Sequence, residues 1–248
     1  MAQPDKRYAQ SAAAARAGVA VDEGLRAYML GVYNYMAAGV ALTGVIAYLT
    51  NVLAVSDAAL TPFGQMLYSS PLRWVVMLAP LGFVLYLSFR IQQMSVGAAQ
   101  LAFWLFAAVM GLSLSWIFLV FTGESITQVF FITAAMFGAL SLWGYTTKRD
   151  ISAWGSFLFM GVVGIIIAMI VNLFLQSSGL QWAISVIGVL VFAGLTAYDT
   201  QRIKDGYLTV RHDTAMVAKS AIMGALSLYL DFINMFIMLL NLFGSSRE

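Results

Sequence analysis

The 248-residue sequence contains no cysteine, a single histidine and few charged residues. Without cysteine the chain cannot form disulfide bonds, thiolate metal sites or a cysteine nucleophile. Only 10% of its residues are charged, while 61% are hydrophobic. Soluble domains average about 25% charged residues, so this chain has too little polar surface to cover its apolar residues in water. The composition therefore indicates an integral membrane protein and argues against a soluble enzyme.

Seven apolar segments are long enough to cross a bilayer as helices. A hydrocarbon core about 30 Å thick requires about 20 mostly apolar residues per helix. The predicted spans are residues 28–49, 73–91, 98–121, 127–145, 154–175, 181–203 and 219–243. Their apolar runs are continuous, which is typical of helices rather than of alternating strands. We predict an all-α membrane protein with a polar, mobile tail at residues 1–26 and one transmembrane domain at residues 27–248.

The basic residues are distributed unequally between the two sides of this arrangement. The seven-span arrangement places eleven of the 13 lysine and arginine residues on one side: Lys6, Arg7, Arg16, Arg26, Arg90, Lys148, Arg149, Arg202, Lys204, Arg211 and Lys219. Only Arg73 and Arg247 lie on the other side. Because cytoplasmic loops are rich in lysine and arginine, we expect a cytoplasmic N-terminus and an external C-terminus. A six-span alternative would place both ends inside but requires a re-entrant segment.

Two aspartates fall inside predicted spans, where an ionised group costs about 3 kcal/mol on insertion scales. Asp199 lies in the sixth span and Asp231 in the seventh. The seventh span also carries one stripe of small and polar residues on an otherwise apolar helix. In chain order the stripe is Ser220, Gly224, Ser227, Asp231, Asn234, Met238 and Asn241. This pattern predicts that the last helix lines an interior seam, with Gly224, Ser227 and Asn234 as candidate pore-lining residues.

Two carboxyl groups that meet in a poorly solvated site tend to share one proton, and they then titrate as a pair. Such a pair could sense pH, or could bind a hard cation such as Ca²⁺ transiently through its oxygens. Arg90, near the end of the second span, is a candidate counter-charge for Asp199, although a snorkelling interfacial arginine explains it equally well. The structural alternative is that both aspartates only form hydrogen bonds between helices.

The segments GLTAYDTQRIK around Asp199 and MGALSLYLDFINMFIMLLNLFG around Asp231 resemble the Bax inhibitor family, especially its bacterial members. The opening YMLGVYNYMAAGVALTGVIAYL agrees with this resemblance, which covers nearly all of the chain after residue 25. The resemblance implies two three-helix layers around a central C-terminal helix. It also implies a pH-sensitive calcium leak with Asp199 and Asp231 as the sensor and Arg90 as a latch. The long polar linker between the two aspartates departs from the family pattern.

We therefore expect a pH-sensitive calcium leak in a bacterial inner membrane, with the lipid bilayer and calcium ions as partners and without a cofactor or nucleic acid. One alternative is a regulator that conducts no ions and acts on a membrane-bound AAA protease, as some bacterial relatives do, or on the stress and cell-death responses that eukaryotic members control. Another is a proton-coupled transporter, since buried aspartates also relay protons. An enzyme is least favoured, because no Walker loop, GxSxG motif, HExxH motif or paired metal-ligand spacing is present.

Overall fold

The computed structural model describes the backbone of residues 6–56 and 59–247, and the side chains of residues 23–56 and 59–247. The elements in chain order are α1 (Lys6–Ala54), β1 (Val55–Ser56), β2 (Ala59–Leu60), α2 (Pro62–Gly64), a π-helical turn (Gln65–Ser69), α3 (Leu72–Arg90), a 3-10 turn (Ile91–Gln93), α4 (Val96–Leu114), α5 (Ile117–Val120), α6 (Gly123–Thr146), α7 (Trp154–Leu175), α8 (Ser178–Val210) and α9 (Thr214–Phe243). The two short strands pair antiparallel.

Seven helical segments of the described chain are long and apolar enough to cross a membrane, which confirms the predicted all-α membrane fold. They are Glu23–Ala54, Leu72–Gln93, Val96–Val120, Gly123–Thr146, Trp154–Leu175, Ser178–Val210 and Thr214–Phe243. The first helix begins at Lys6 and so includes most residues assigned to the tail. Its Ala-rich start suits a helix, because alanine has the highest helix propensity. The division into a tail and a transmembrane domain stays a prediction, and residues 1–5 lie outside the described chain.

The helices pack around α9. Helices α3 and α1 both contact α4, helices α6 and α7 both contact α8, and α9 contacts α1, α4, α6 and α8. In the most apolar part of α9, 72% of the residues are buried, against 11% in α7. Of the stripe of small and polar residues, Gly224, Asp231 and Met238 are buried, Ser220, Ser227 and Asn234 are half-buried, and Asn241 is exposed. The arrangement into two three-helix layers stays a prediction.

The connection between α8 and α9 is much shorter than the sequence suggested. We expected about 15 residues of loop between residues 203 and 219, but α8 continues to Val210 and α9 begins at Thr214. The prediction was wrong because it ended the helix where the apolar run ends. Polar residues continue α8, whose Tyr207 is buried against Tyr28 at a ring distance of 5.1 Å. The Asp213 side chain then caps α9 by accepting the backbone N–H of Ala215 at 2.8 Å.

Close contacts at two glycines fix the register of α8 against α9. A Cβ atom at Gly188 would lie 2.8 Å from Cγ of Met238, and one at Gly224 would lie 3.1 Å from the Ile203 side chain. In this antiparallel register, Asp231 lies about one helical turn deeper in the bundle than Asp199. The two aspartates thus come within reach of each other although they are unequally distant from the turn.

The start of the first membrane-spanning segment and the residues that follow α9 lie at opposite ends of the bundle. Near the start of the segment Glu23–Ala54, the Tyr28 hydroxyl is hydrogen-bonded to Ser220 at 2.9 Å. Past the end of α9, the Thr122 N–H donates to the Ser245 carbonyl at 3.0 Å. Residues 121 and 246 form an isolated antiparallel bridge beside this bond. Residues 245–247 are thus held against the end of α5 and the α5–α6 linker.

The excess of basic residues predicts that the N-terminus is cytoplasmic. Because seven is an odd number of spans, the C-terminus is then expected on the external side. We expect a reporter fused to the C-terminus to be active only if it functions in the periplasm. A matched fusion in the turn formed by residues 211–213 should give the opposite result. Activity of only a cytoplasm-dependent reporter at the C-terminus would contradict the predicted orientation.

Candidate functional site: an aspartate pair between helices α7, α8 and α9

A cavity of about 470 Å³ between α7, α8 and α9 is lined by both aspartates. Asp199 is 7% exposed and Asp231 is 4% exposed. The other lining residues are Gly155, Ser156, Phe159, Leu195, Tyr198, Arg202, Ser227 and Leu230. The structure thus places the two aspartates, which are 32 residues apart in the chain, at one site.

The local sequence explains why α7 comes close to this site. A Cβ atom at Gly155 would lie 2.5 Å from the Tyr198 hydroxyl, so only glycine admits the tyrosine ring there. On α8, Gln201 is buried near Asp199 and forms hydrogen bonds with the connection between α6 and α7. Its amide donates to the Arg149 carbonyl at 2.8 Å and accepts the Ile151 N–H at 3.0 Å. The start of α7 is therefore held against the helix that carries Asp199.

Arg202 is the ion-pair partner of Asp199. Its Nη2 atom lies 3.1 Å from Oδ1 of Asp199, one helical turn away on α8. The same nitrogen donates to the Ser227 hydroxyl on α9 at 3.3 Å. The guanidinium also lies over the Tyr198 ring, 5.8 Å from its centroid. It therefore bridges α8 and α9 at the cavity wall.

Arg90, the candidate counter-charge for Asp199, is not its partner in this structure. Arg90 is exposed and donates to the Gln93 side chain at 2.7 Å. The sequence indicates the depths of the two residues but not which helices are neighbours. Helix α3, which carries Arg90, packs mainly on α4. A latch role for Arg90 stays a prediction.

Sequence reasoning missed Arg202, although its signal was present. A cation three residues after an acidic residue lies on the same helix face, within reach of the carboxylate. The sequence places Arg202 at the cytoplasmic end of the sixth span, where it contributes to the basic excess, and its spacing from Asp199 is the overlooked feature. Because α8 continues to Val210, Arg202 lies within the helix and not at its end.

Asp231 has an unusual environment for a carboxyl group. Its Oδ2 atom is buried and has no hydrogen-bond partner in the described part of the chain. The Asp199 carboxyl and the Arg202 guanidinium both interact with it electrostatically. A buried carboxylate oxygen without a donor is costly, so the group either retains a proton or interacts with a cation. A proton shared with Asp199 stays a prediction.

The other candidate residues lie at different distances from this cavity. Ser227 lines it and also lines a smaller cavity of about 180 Å³. Gly224 lines the smaller cavity, where it packs on Ile203. Asn234 donates to the Leu230 carbonyl of its own helix at 2.8 Å and lines neither cavity. Pore-lining roles for these three residues stay predictions.

Carboxyl groups are too few at this site for tight calcium binding. Ca²⁺ takes six to eight oxygen ligands in about the 2.3–2.6 Å range. Within the described residues, no group of three or more His, Asp or Glu side chains converges on a metal position. Transient binding of calcium by Asp199 and Asp231 stays a prediction.

One contact deeper than Asp231 closes the seam between α8 and α9. Met238, two turns further along α9, packs directly on Gly188. This contact is a barrier in the seam beneath the aspartates.

Comparison with known proteins gives consistent matches over this chain. Residues 25–248 match the family model for the inhibitor of apoptosis-promoting Bax1. The chain is 47% identical over 246 residues to an uncharacterized protein of Caulobacter vibrioides, covering 98% of both. It is 46% identical over 226 residues to the inner membrane protein YbhL of Escherichia coli K12, covering 90% of this chain and 94% of that protein. It is also 45% identical over 227 residues to the uncharacterized protein RP147 of Rickettsia prowazekii, with 92% and 93% covered.

Proposed function

Because the chain belongs to the Bax inhibitor family and is a multi-pass protein of the bacterial inner membrane, we propose that it is a pH-sensitive cation leak. Calcium is the permeant ion, and Asp199 and Asp231 form the gate. The observation that carries this proposal is the cavity, which is lined by both buried aspartates and by one arginine.

The charge of this site depends on a single proton. With Arg202 ionised and one proton on the two carboxyl groups, the site is neutral. Loss of that proton leaves one negative charge in a poorly solvated place. Electrostatic interactions are stronger there than in water, so the uncompensated charge attracts a cation. Protons and permeant cations therefore compete for the same oxygens, which makes the leak sensitive to pH.

The same proton acts on the contact between α8 and α9. These two helices share the most extensive contact in the bundle. When both carboxyl groups are ionised, they repel each other across this contact. The barrier beneath them depends on Met238, whose flexible, unbranched side chain can change conformation without a large backbone movement. A small shift between α8 and α9 is therefore enough to alter the path past Gly188.

Calcium entry into liposomes that contain only the purified protein tests this proposal. We expect flux with the wild-type chain, altered flux with Asp231→Asn, and unchanged flux with Asp205→Asn. Asp205 is an exposed carboxylate on the same helix as Asp199, so its variant controls for the loss of a charge. Absence of flux from correctly folded protein would contradict the leak and favour a regulator that conducts no ions.

A further inference from the structure

Arg202 has a position that the leak alone does not explain. Its Nη2 atom contacts a carboxylate oxygen of Asp199 at 3.1 Å and the Ser227 hydroxyl at 3.3 Å. Its charge also acts on Asp231. The oxygen atoms around the guanidinium are thus those that a free cation would use. The unpartnered Oδ2 of Asp231 is a further oxygen at this site.

The guanidinium also lies where two cavities meet. Arg202 and Ser227 both line the cavity of about 470 Å³ and the adjoining cavity of about 180 Å³. The smaller cavity reaches Gly206 and Ser220, toward the end of the bundle where α8 turns into α9. Arg202 and Ser227 are thus the two residues that line both cavities.

Arg202 is held less firmly than the groups that it contacts. Its side chain is 55% exposed, whereas the Asp199 side chain is 11% exposed. Exposed ion pairs are weak, because water solvates the released charge and the long side chain regains its freedom. The anions are therefore fixed in the bundle, and the cation on its flexible stem can move away from them.

We infer that Arg202 is a tethered cation that occupies the binding position of a hard divalent cation between Asp199, Asp231 and Ser227. A permeant ion has to displace the guanidinium, and this displacement joins the two cavities. This inference rests on the proposed function, because it identifies Arg202 as the group that competes with the permeant cation for the same site. It makes Arg202 a positioning residue that sets the affinity of the site for cations.

Terbium binding to the detergent-solubilised full chain tests this inference without any flux measurement. Tb³⁺ binds oxygen ligands as Ca²⁺ does, and the nearby Tyr198 ring can sensitise its luminescence. We expect Arg202→Gln to lower the half-saturating Tb³⁺ concentration about tenfold, since one repelling charge is removed close to the ion. Arg202→Lys should bind like the wild type because it keeps the charge. The Arg202→Lys variant also shows whether the protein still folds when the guanidinium group is replaced.

Two further variants make the result specific. Arg211→Gln removes an exposed positive charge from the turn after α8 and should leave Tb³⁺ binding unchanged. The double variant Arg202→Gln with Asp231→Asn should lose the gain in affinity. Equal half-saturation in Arg202→Gln and wild type would overturn the inference, as would a gain that survives Asp231→Asn. If Tb³⁺ binding behaves as expected and liposomes show no calcium flux, the leak fails and the tethered cation stands.

Discussion

Replacing Gly144 by alanine is expected to destabilise the protein strongly. Gly144 lies on α6, and a Cβ atom there would be 2.4 Å from the carbonyl oxygen of Ala197 on α8. A backbone carbonyl cannot move aside as a flexible side chain does. Helix α6 would therefore have to move away from α8 at Ala197, which precedes Asp199 by two residues. Overpacking of this kind costs about 1–3 kcal/mol, occasionally more. The unfolding midpoint of the purified protein in detergent measures the effect.

Gly138 provides a matched control on the same helix. A Cβ atom at Gly138 would meet no atom within 4 Å. Gly138→Ala should therefore keep or raise the unfolding midpoint, because alanine favours a helix over glycine by about 1 kcal/mol. Equal loss of stability in both variants would show that the close approach of α6 to α8 does not determine the stability of this region.

Asp199→Asn and Asp231→Asn are each expected to flatten the dependence of calcium flux on pH. Asparagine keeps the shape of the side chain and its capacity for hydrogen bonds, but it cannot titrate. Each variant leaves one carboxyl group without its repelling neighbour, so the coupled titration of the pair is lost. A single titrating proton changes the occupancy of a site by at most about tenfold per pH unit, and we expect most of that change to disappear over the pH range in which the wild-type pair titrates, because the remaining carboxyl group titrates alone.

The two variants should differ in a second property. Asp199→Asn removes the ion-pair partner of Arg202, whereas Asp231→Asn leaves that ion pair in place. We therefore expect the Asp199 variant to release the guanidinium and the Asp231 variant to retain it. Asp205→Asn should reproduce the wild-type pH profile, because Asp205 is exposed on α8 outside the cavity. A flattened profile in this control would point to a general effect of surface charge.

The number of spans could be predicted from the sequence because burial in lipid requires long, uninterrupted apolar helices. Helix ends could not be predicted in the same way. Residues 204–210 are too polar for a span, yet they continue α8 because Tyr207 packs on Tyr28 and Lys204 donates to the Tyr145 carbonyl at 3.0 Å. Contacts between distant parts of the chain decided this boundary.

The aspartates could be singled out from the sequence because an acidic residue in an apolar helix is costly and therefore rare. The polar stripe did not indicate which face of α9 is most buried, because Ser220, Ser227 and Asn234 are only half-buried. The partner of Asp199 could not be chosen by depth alone. Arg90 and Arg202 lie on the same predicted side of the membrane, and only the packing of the helices shows that Arg202 contacts the carboxylate.

Calcium flux measured across a range of pH, with wild-type protein and the double variant Asp199→Asn with Asp231→Asn in matched liposomes, tests the central claim most directly. We predict flux that changes with pH for the wild type and flux that is nearly independent of pH for the double variant. Both proteins should be folded to the same extent, as judged by their unfolding midpoints. Coinciding curves would contradict the account, because the aspartates would then have only a structural role.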